Sequence, residues 1–245
     1  MVVIHFRVRV RPQINQMSRF CTTVGQPRDS DWLKQHLEFV EYAKEHGHID
    51  VLFLGDSITD LWRKEGHDIW ERNFAPLNAA NFGVSGDRTQ HLLWRLQNGA
   101  LDYVSPRIVV LMIGTNNTGW ERDNKTVRNT PAEVVAGIMQ CVAEIRQKLP
   151  NSQIILFGIL PRNDNPNPEH NQEQAAQIRE INNTVQLSCS SEHISFTDVG
   201  DKFMSEDETS KMDLFIDGLH LSTKGYETWA QALLQHFARF DRAVV

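Results

Sequence analysis

Val51-Leu52-Phe53-Leu54-Gly55-Asp56-Ser57-Ile58-Thr59-Asp60 is the stretch whose reading decides the fold. Four apolar residues run straight into Gly-Asp-Ser, and a helix-compatible segment follows. An apolar run closed this abruptly reads as a strand buried on both faces, the habit of parallel sheets. Open α/β sheets gather ligand chemistry at the carboxyl ends of their strands. Ser57 therefore stands where a nucleophile would, but a serine needs a base within reach to act as one.

Working outward from this strand, apolar runs and helical faces alternate. On the amino-terminal side, Ser30 can cap a helix with Trp32, Leu33, Leu37, Val40 and Ala43 on its inner face, ending near Gly47. On the carboxyl side, Leu61 to Phe74 reads as two helical pieces around Gly66. A short strand from Ala79 to Phe82 then enters the turn Gly83-Val84-Ser85-Gly86-Asp87, followed by a helix through Leu92, Leu93 and Leu96. Arg107 to Ile113 is a further strand, ending at Gly114-Thr115-Asn116-Asn117. Thr130, Pro131 and Glu133 supply a cap, a first-turn proline and a capping box for a helix facing inward through Val134, Ile138, Val142 and Ile145. Gln153 to Gly158 is a fourth strand, Pro168 to Cys189 a polar helix, and Ile194 to Thr197 a candidate fifth strand. The last helix starts near Ser222 and is expected to bury Tyr226, Trp229, Leu233, Leu234 and Phe237. This alternation predicts one doubly wound α/β domain with a parallel sheet covered on both faces.

Composition narrows the function classes. The 245 residues carry a net charge of −6, with no basic footprint for nucleic acid. No apolar stretch approaches the roughly 20 residues needed to span a membrane, so stable insertion is not expected. Cys21, Cys141 and Cys189 are odd in number and form no CxxC, which fits free thiols and a cytoplasmic setting. No HExxH, Cys/His cluster or EF-hand loop calls for a metal, and no cofactor is expected. Residues 1–28 form a basic extension in which Ile4, Phe6, Val8 and Val10 alternate with His5, Arg7, Arg9 and Arg11. It is read as a tail or an upstream start on which nothing catalytic depends, and residues 29–245 as the folded domain.

Right-handed crossovers bring the carboxyl ends of a parallel sheet to one edge. Gly55-Asp56-Ser57, the Asn81–Asp87 turn and Gly114–Asn117 should therefore converge, joined by Asp217-Gly218-Leu219-His220 before the last helix. This set fits acyl transfer, with Ser57 as nucleophile, His220 as base and Asp217 orienting the imidazole. Oxyanion donors would be the N–H of Ser57, the N–H of Gly83 and the side-chain amide of Asn116. Each residue also has a duller role: Ser57 can cap a helix, Gly83 can serve its turn, and Asn116 and Asp217 can bond loop backbone. Asp56 is expected to support the turn rather than act as the triad acid. A phosphate-cradling reading of Gly83–Thr89 fails for want of Gly-Lys-Ser/Thr, and no Gly-x-Ser-x-Gly elbow occurs.

These residues resemble the SGNH (GDSL-type) hydrolase family, with Ser57 in Gly-Asp-Ser, Gly83 in Asn-Phe-Gly, Asn116 in Gly-Thr-Asn-Asn and His220 in Asp-x-x-His. The longer stretch from Asn81 to Gly99, and Leu160-Pro161-Arg162, are similar to the intracellular platelet-activating-factor acetylhydrolase branch. The resemblance implies a flavodoxin-like five-stranded sheet and metal-free hydrolysis of a small-molecule ester. It also implies a small acyl pocket preferring acetyl, and association of the chain with itself, a homodimer being the simplest form. Ile58, Thr115 and Leu219 flank the matching catalytic positions as candidate pocket walls, with ordinary packing as the alternative. The chain departs from that branch in its basic amino-terminal segment and in a longer loop, 118–129, with Trp120, Glu121, Arg122, Asp123, Lys125 and Arg128. The leading expectation is a serine esterase for short acyl esters. The alternatives are a carbohydrate O-acetyl esterase, with Trp120 as a stacking surface, and a binding subunit that keeps the fold without activity.

Overall fold

In the computed structural model, which describes residues 21–121, 123–189, 192–205 and 210–242, a five-stranded parallel sheet runs in the order β2-β1-β3-β4-β5. The strands are β1 (Val51–Gly55), β2 (Ala79–Gly83), β3 (Ile108–Met112), β4 (Gln153–Phe157) and β5 (Ile194–Thr197). Between and around them lie α1 (Ser30–His46), α2 (Ser57–Asp60), α3 (His67–Asn73), α4 (Thr89–Arg95), α5 (Pro131–Lys148), α6 (Pro168–Ser188) and α7 (Thr223–Arg242). The predicted doubly wound α/β class is what the chain adopts.

Alternation along the strands divides the core in two. Leu52, Leu54, Val109, Leu111, Ile154 and Leu156 pack with Leu92, Ile138, Val142 and Ile181 under α1, α4, α5 and α6. Val51, Phe53, Val110, Met112, Ile155 and Phe157 pack with Ile58, Trp62, Ile69 and Trp229 under α2, α3 and α7. Because both faces are covered, β1 reads as a continuous apolar run rather than an alternation, with every residue buried.

Helix ends follow their local chemistry with two corrections. Thr130 accepts from the Glu133 N–H and Glu133 returns the bond, so the capping box of α5 forms as expected. Asp29, not Ser30, caps α1: its carboxylate accepts from the Trp32 N–H at 3.0 Å, and a carboxylate also suits the positive end of the helix. Inward faces are narrower than expected. Leu33, Leu37 and Leu234 lie exposed, and α1 buries Trp32 and Ala43, as expected, together with His36.

Part of the expected extension bonds to the domain. Thr22 is buried and donates to the Glu133 carbonyl at 2.7 Å. The Gln26 N–H donates to Gln90 O at 2.9 Å, and Arg28 reaches the loop after β2. A backbone bond to α4 and side-chain bonds to α5 and the loop after β2 thus tie this segment to the domain. The strand pattern from Ile4 to Val10 lies outside the described residues.

The outer edge of β2 carries its own protection. Arg63 donates to the carbonyls of Asn81 and Gly83, pairs with Asp60, and lies 5.3 Å from the centroid of the Phe39 ring.

Candidate active site

Register explains why distant residues meet. Gly55 pairs with Gly83 on one side and with Met112 on the other. The turns after β1, β2 and β3 therefore leave the sheet side by side. A Cβ on Gly55 would meet the Met112 carbonyl at 2.4 Å and Thr59 Oγ1 at 2.1 Å, so only glycine lets the chain turn here.

Ser57 opens α2, where its backbone N–H has no acceptor within the helix. The preceding Asp56 is buried and accepts from the Ile58 N–H at 3.0 Å. It supports the turn, as expected. Burial pushes its carboxyl up to about 7, with the Asp87 charge adding to the rise and the Ile58 hydrogen bond opposing it. Ser57 Oγ lies 3.0 Å from His220 Nε2, and His220 Nδ1 lies 2.6 Å from Asp217 Oδ2. A carboxylate only accepts, so the proton between them sits on Nδ1. This leaves Nε2 as the acceptor for the Ser57 hydroxyl.

His220 is held by a local device. Asp217 Oδ1 accepts from the N–H groups of Leu219 and His220 at 3.0 and 2.7 Å. Partial burial alone would raise the Asp217 carboxyl. These bonds and the imidazole outweigh it and hold the group below the usual carboxylate range. Gly218 has φ +83°, and a Cβ there would strike the Asn163 carbonyl at 2.4 Å. Its own carbonyl accepts from the Asn163 N–H at 2.8 Å.

The Ser57 side rests on a buried ion pair. Arg95 donates from Nε to Asp87 Oδ2 at 2.9 Å, and from its two terminal nitrogens to Phe82 O at 2.8 Å and Gly55 O at 3.3 Å. Asp87 Oδ1 also accepts from Trp32 Nε1 at 2.7 Å and from Arg28 at 3.4 Å. One arginine thus joins the ends of β1 and β2 to the loop between β2 and α4. The Asp87 carbonyl in turn accepts from Asn116 Nδ2 at 3.0 Å. That bond orients the Asn116 amide and leaves its second N–H available.

The structure redistributes the other expected roles. The Gly83 N–H already donates to Asn81 Oδ1 at 2.8 Å, and a Cβ on Gly83 would meet the Asp60 nitrogen at 2.4 Å. Gly83 therefore serves the close approach of β2 to α2, and the donor role expected for it is taken up. The N–H of Gly86, three residues on, has no acceptor among the described residues. Gly86 has φ +79°, and Arg28 covers it while donating to Ser85 O at 2.8 Å. Sequence reasoning passed over both residues. The signal was present in the Ser-Gly-Asp that follows Gly83, but telling the two glycines apart needs the sign of φ.

Among the candidate pocket walls, Ile58 is 2% exposed and belongs to the core. Thr115 is buried, with its carbonyl and hydroxyl both accepting from Arg162 at 3.1 Å. Leu219 keeps partial exposure while packing against the α2–α7 core. Trp120 has one ring face covered by His170, with centroids 3.9 Å apart. Among the described residues, no three His, Cys, Asp or Glu side chains gather as a metal site, and no helix is long and apolar enough to cross a membrane.

Known proteins resemble this chain in sequence and in fold. The family profile described as GDSL-like Lipase/Acylhydrolase matches residues 53–228. The human platelet-activating factor acetylhydrolase IB subunit alpha1 is 36% identical over 205 residues, covering 84% of this chain and 82% of that protein. The rat alpha2 subunit is 36% identical over 199 residues, covering 81% and 80%. Among solved structures, a GDSL-like lipase from Bacteroides thetaiotaomicron superposes with a TM-score of 0.66 at 18% identity, covering 83% of this chain and 97% of that one. A carbohydrate acetylesterase from Sinorhizobium meliloti does so with a TM-score of 0.60 at 18% identity, covering 78% and 99%. These last two likenesses are of fold. The chain belongs to the GDSL-like lipase/acylhydrolase family.

Proposed function

We propose that the protein is a serine esterase that hydrolyses short-chain, principally acetyl, carboxylic esters through an acyl-enzyme. The observation that carries this reading is the Ser57–His220–Asp217 relay, with contacts of 3.0 and 2.6 Å. In the first half-reaction Ser57 Oγ adds to the ester carbonyl while its proton moves to His220 Nε2. Asp217 stabilises the imidazolium. The tetrahedral oxyanion is met by the N–H of Ser57, the free amide hydrogen of Asn116 and the N–H of Gly86. Collapse expels the alcohol, which takes the proton from His220. Water then enters, gives a proton to the same nitrogen and releases the carboxylic acid as Ser57 recovers its hydrogen.

The acetyl preference is supported by the relatives, whose names describe acetylhydrolase subunits. Carbohydrate O-acetyl esters are a second substrate class, supported by the fold likeness to a carbohydrate acetylesterase. A cytoplasmic setting is supported by the free thiols of Cys21, Cys141 and Cys189, and a homodimer by the naming of the relatives as subunits. We take residues 29–245 as the hydrolase domain and residues 1–28 as its amino-terminal extension, of which Thr22, Gln26 and Arg28 bond to that domain.

The test is a panel of p-nitrophenyl esters run beside acetylated xylan. Turnover should be greatest for acetate, fall steeply with acyl length, and drop by about ten-thousand-fold or more in Ser57→Ala. Unchanged turnover in that variant would remove the mechanism. A folded wild type whose Ser57 resists a fluorophosphonate would establish the non-catalytic binding subunit instead. Sedimentation at the mass of one chain would remove the dimer.

A further inference from the structure

The 118–129 loop, which sets this chain apart from the resembling branch, closes over a cavity of about 180 Å³ lined by Trp120, Glu121, Asn124, Arg128, Arg162 and Asp164 among others. Arg122 lies outside the described residues. The charges around this cavity do not balance among the described residues. Arg88 Nη2 donates to both oxygens of Glu121, at 2.9 and 3.0 Å. Arg162 grips both oxygens of Asp164, at 2.6 and 2.5 Å. Three guanidinium groups share two carboxylates, and both carboxylates are held by the other two arginines.

Arg128 is the surplus cation. Among the described residues its Nη1 reaches only the carbonyls of Asn116 and Thr118, at 3.4 and 3.3 Å. Its Nε is buried with no hydrogen-bond partner and stands 3.8 Å from Glu121 Oε2. Burial, then the charges of Arg88 and Arg162, hold the guanidinium below its ordinary pKa. A buried donor left unpaired is destabilising, and a guanidinium fork fits an oxyanion better than any neutral partner. The cavity is smaller than the roughly 300 Å³ at which ordinary ligand pockets begin, so it can admit only the charged end of a ligand. It also adjoins the reacting centre, because Arg128 and Arg162 bond the backbone of Asn116 and Thr115.

We propose that Arg128 is the centre of a subsite for a small oxyanion, a carboxylate, sulfate or phosphate, beside the turn that carries Asn116. The anion is either a substituent of the ester or a free ion in solution. Only the first of these sources rests on the ester-hydrolase reading.

Binding is tested without turnover, using Ser57→Ala and inorganic phosphate at low ionic strength, against chloride at matched ionic strength to hold screening constant. Calorimetry should show one saturable site and a melting temperature that rises with phosphate. Adding Arg128→Gln should weaken the dissociation constant by about tenfold or more, the loss of one charge-assisted contact. Adding Glu121→Gln, which removes the competing carboxylate, should tighten it. That second variant keeps the test decisive if Arg128→Gln does not fold. No response to phosphate, an equal response in Arg128→Gln, or weaker binding in Glu121→Gln would each overturn the proposal.

The source is then settled with an aryl acetate bearing a meta-carboxylate and the methyl ester of that same compound, in the wild type. A KM about tenfold lower for the charged ester, lost in Arg128→Gln, assigns the anion to the substrate. Equal KM values with phosphate binding intact assign it to solution. If neither ester is hydrolysed while phosphate binds as expected, the esterase reading fails and the anion site stands.

Discussion

The two halves of the relay are built in opposite ways. Ser57 is 6% exposed, and the network behind it, Asp56, Asp87 and Arg95, is buried to 1% or less. The side chains of His220 and Asp217 are 25% and 50% exposed. Ser57 is positioned by tertiary structure: one ion pair ties together two strand ends and a loop, far from water. His220 is positioned by its own loop, where one aspartate collects two backbone N–H groups and an imidazole within three residues. Damage to the first half should therefore be read in stability as well as rate, and damage to the second in rate alone.

Asp87→Asn is the strongest way to break this contrast. It leaves Arg95 buried without its counter-charge, and such half-broken pairs cost about 3–5 kcal/mol. The midpoint of urea unfolding should fall accordingly, and a shift of less than about 1 kcal/mol would show that the pair is dispensable. Asp56 gives the next largest effect, through pH. Its carboxyl titrates near 7 in the folded chain against 3.8 as its ordinary value. The folded state therefore holds a proton that the unfolded chain has already released. The stability this group contributes is complete below about pH 4 and is lost as pH rises to about 7. Relative to Asp56→Asn, the wild-type melting temperature should decline across that window and then level off, the whole change being at most about 4 kcal/mol. Parallel curves would place the carboxyl in an ordinary environment.

Asn116→Ala tests the junction between the halves, since that amide hangs from the Asp87 carbonyl. Loss of one oxyanion donor should lower kcat by roughly 100- to 1,000-fold, about 3 kcal/mol. An unchanged kcat would leave Asn116 as a loop fastener. The smallest effect sharpens the contrast most. Asp217→Ala should shift stability by less than about 0.5 kcal/mol, as exposed positions do, while esterase activity falls by orders of magnitude. A large drop in melting temperature would show that the loop of the base is as structural as the buried network.

Much of this was legible in the sequence, for reasons that differ by residue. β1, β3 and β4 are apolar runs because both faces of the sheet are covered, and α5 announces itself through Thr130, Pro131 and Glu133. The Asp217-x-x-His220 spacing is local, so it reads directly. Roles that depend on contacts across the chain did not. Gly83 and Gly86 lie three residues apart, and they differ because the Asn81 side chain takes the first N–H and only the second has a positive φ. Arg28 lies in a segment that looks like a tail until its guanidinium meets Ser85 and Asp87. Asp29 and Ser30 are both capping residues, and their order along α1 is set by backbone angles rather than composition. Leu33, Leu37 and Leu234 satisfy a helical pattern yet face outward, because α1 and α7 bury narrower stripes than that pattern allows.

The arginine at the rim of the sheet has a consequence for how the protein behaves in a crowd. A free strand edge invites another chain to pair with it, which is how sheets aggregate. Along β2 the outward carbonyls of Asn81 and Gly83 are already claimed by Arg63, whose charge is in turn anchored by Asp60. A neighbouring strand would have to displace a buttressed cation before it could register. The feature that finishes one side of the sheet thus also keeps copies of the protein apart at that edge.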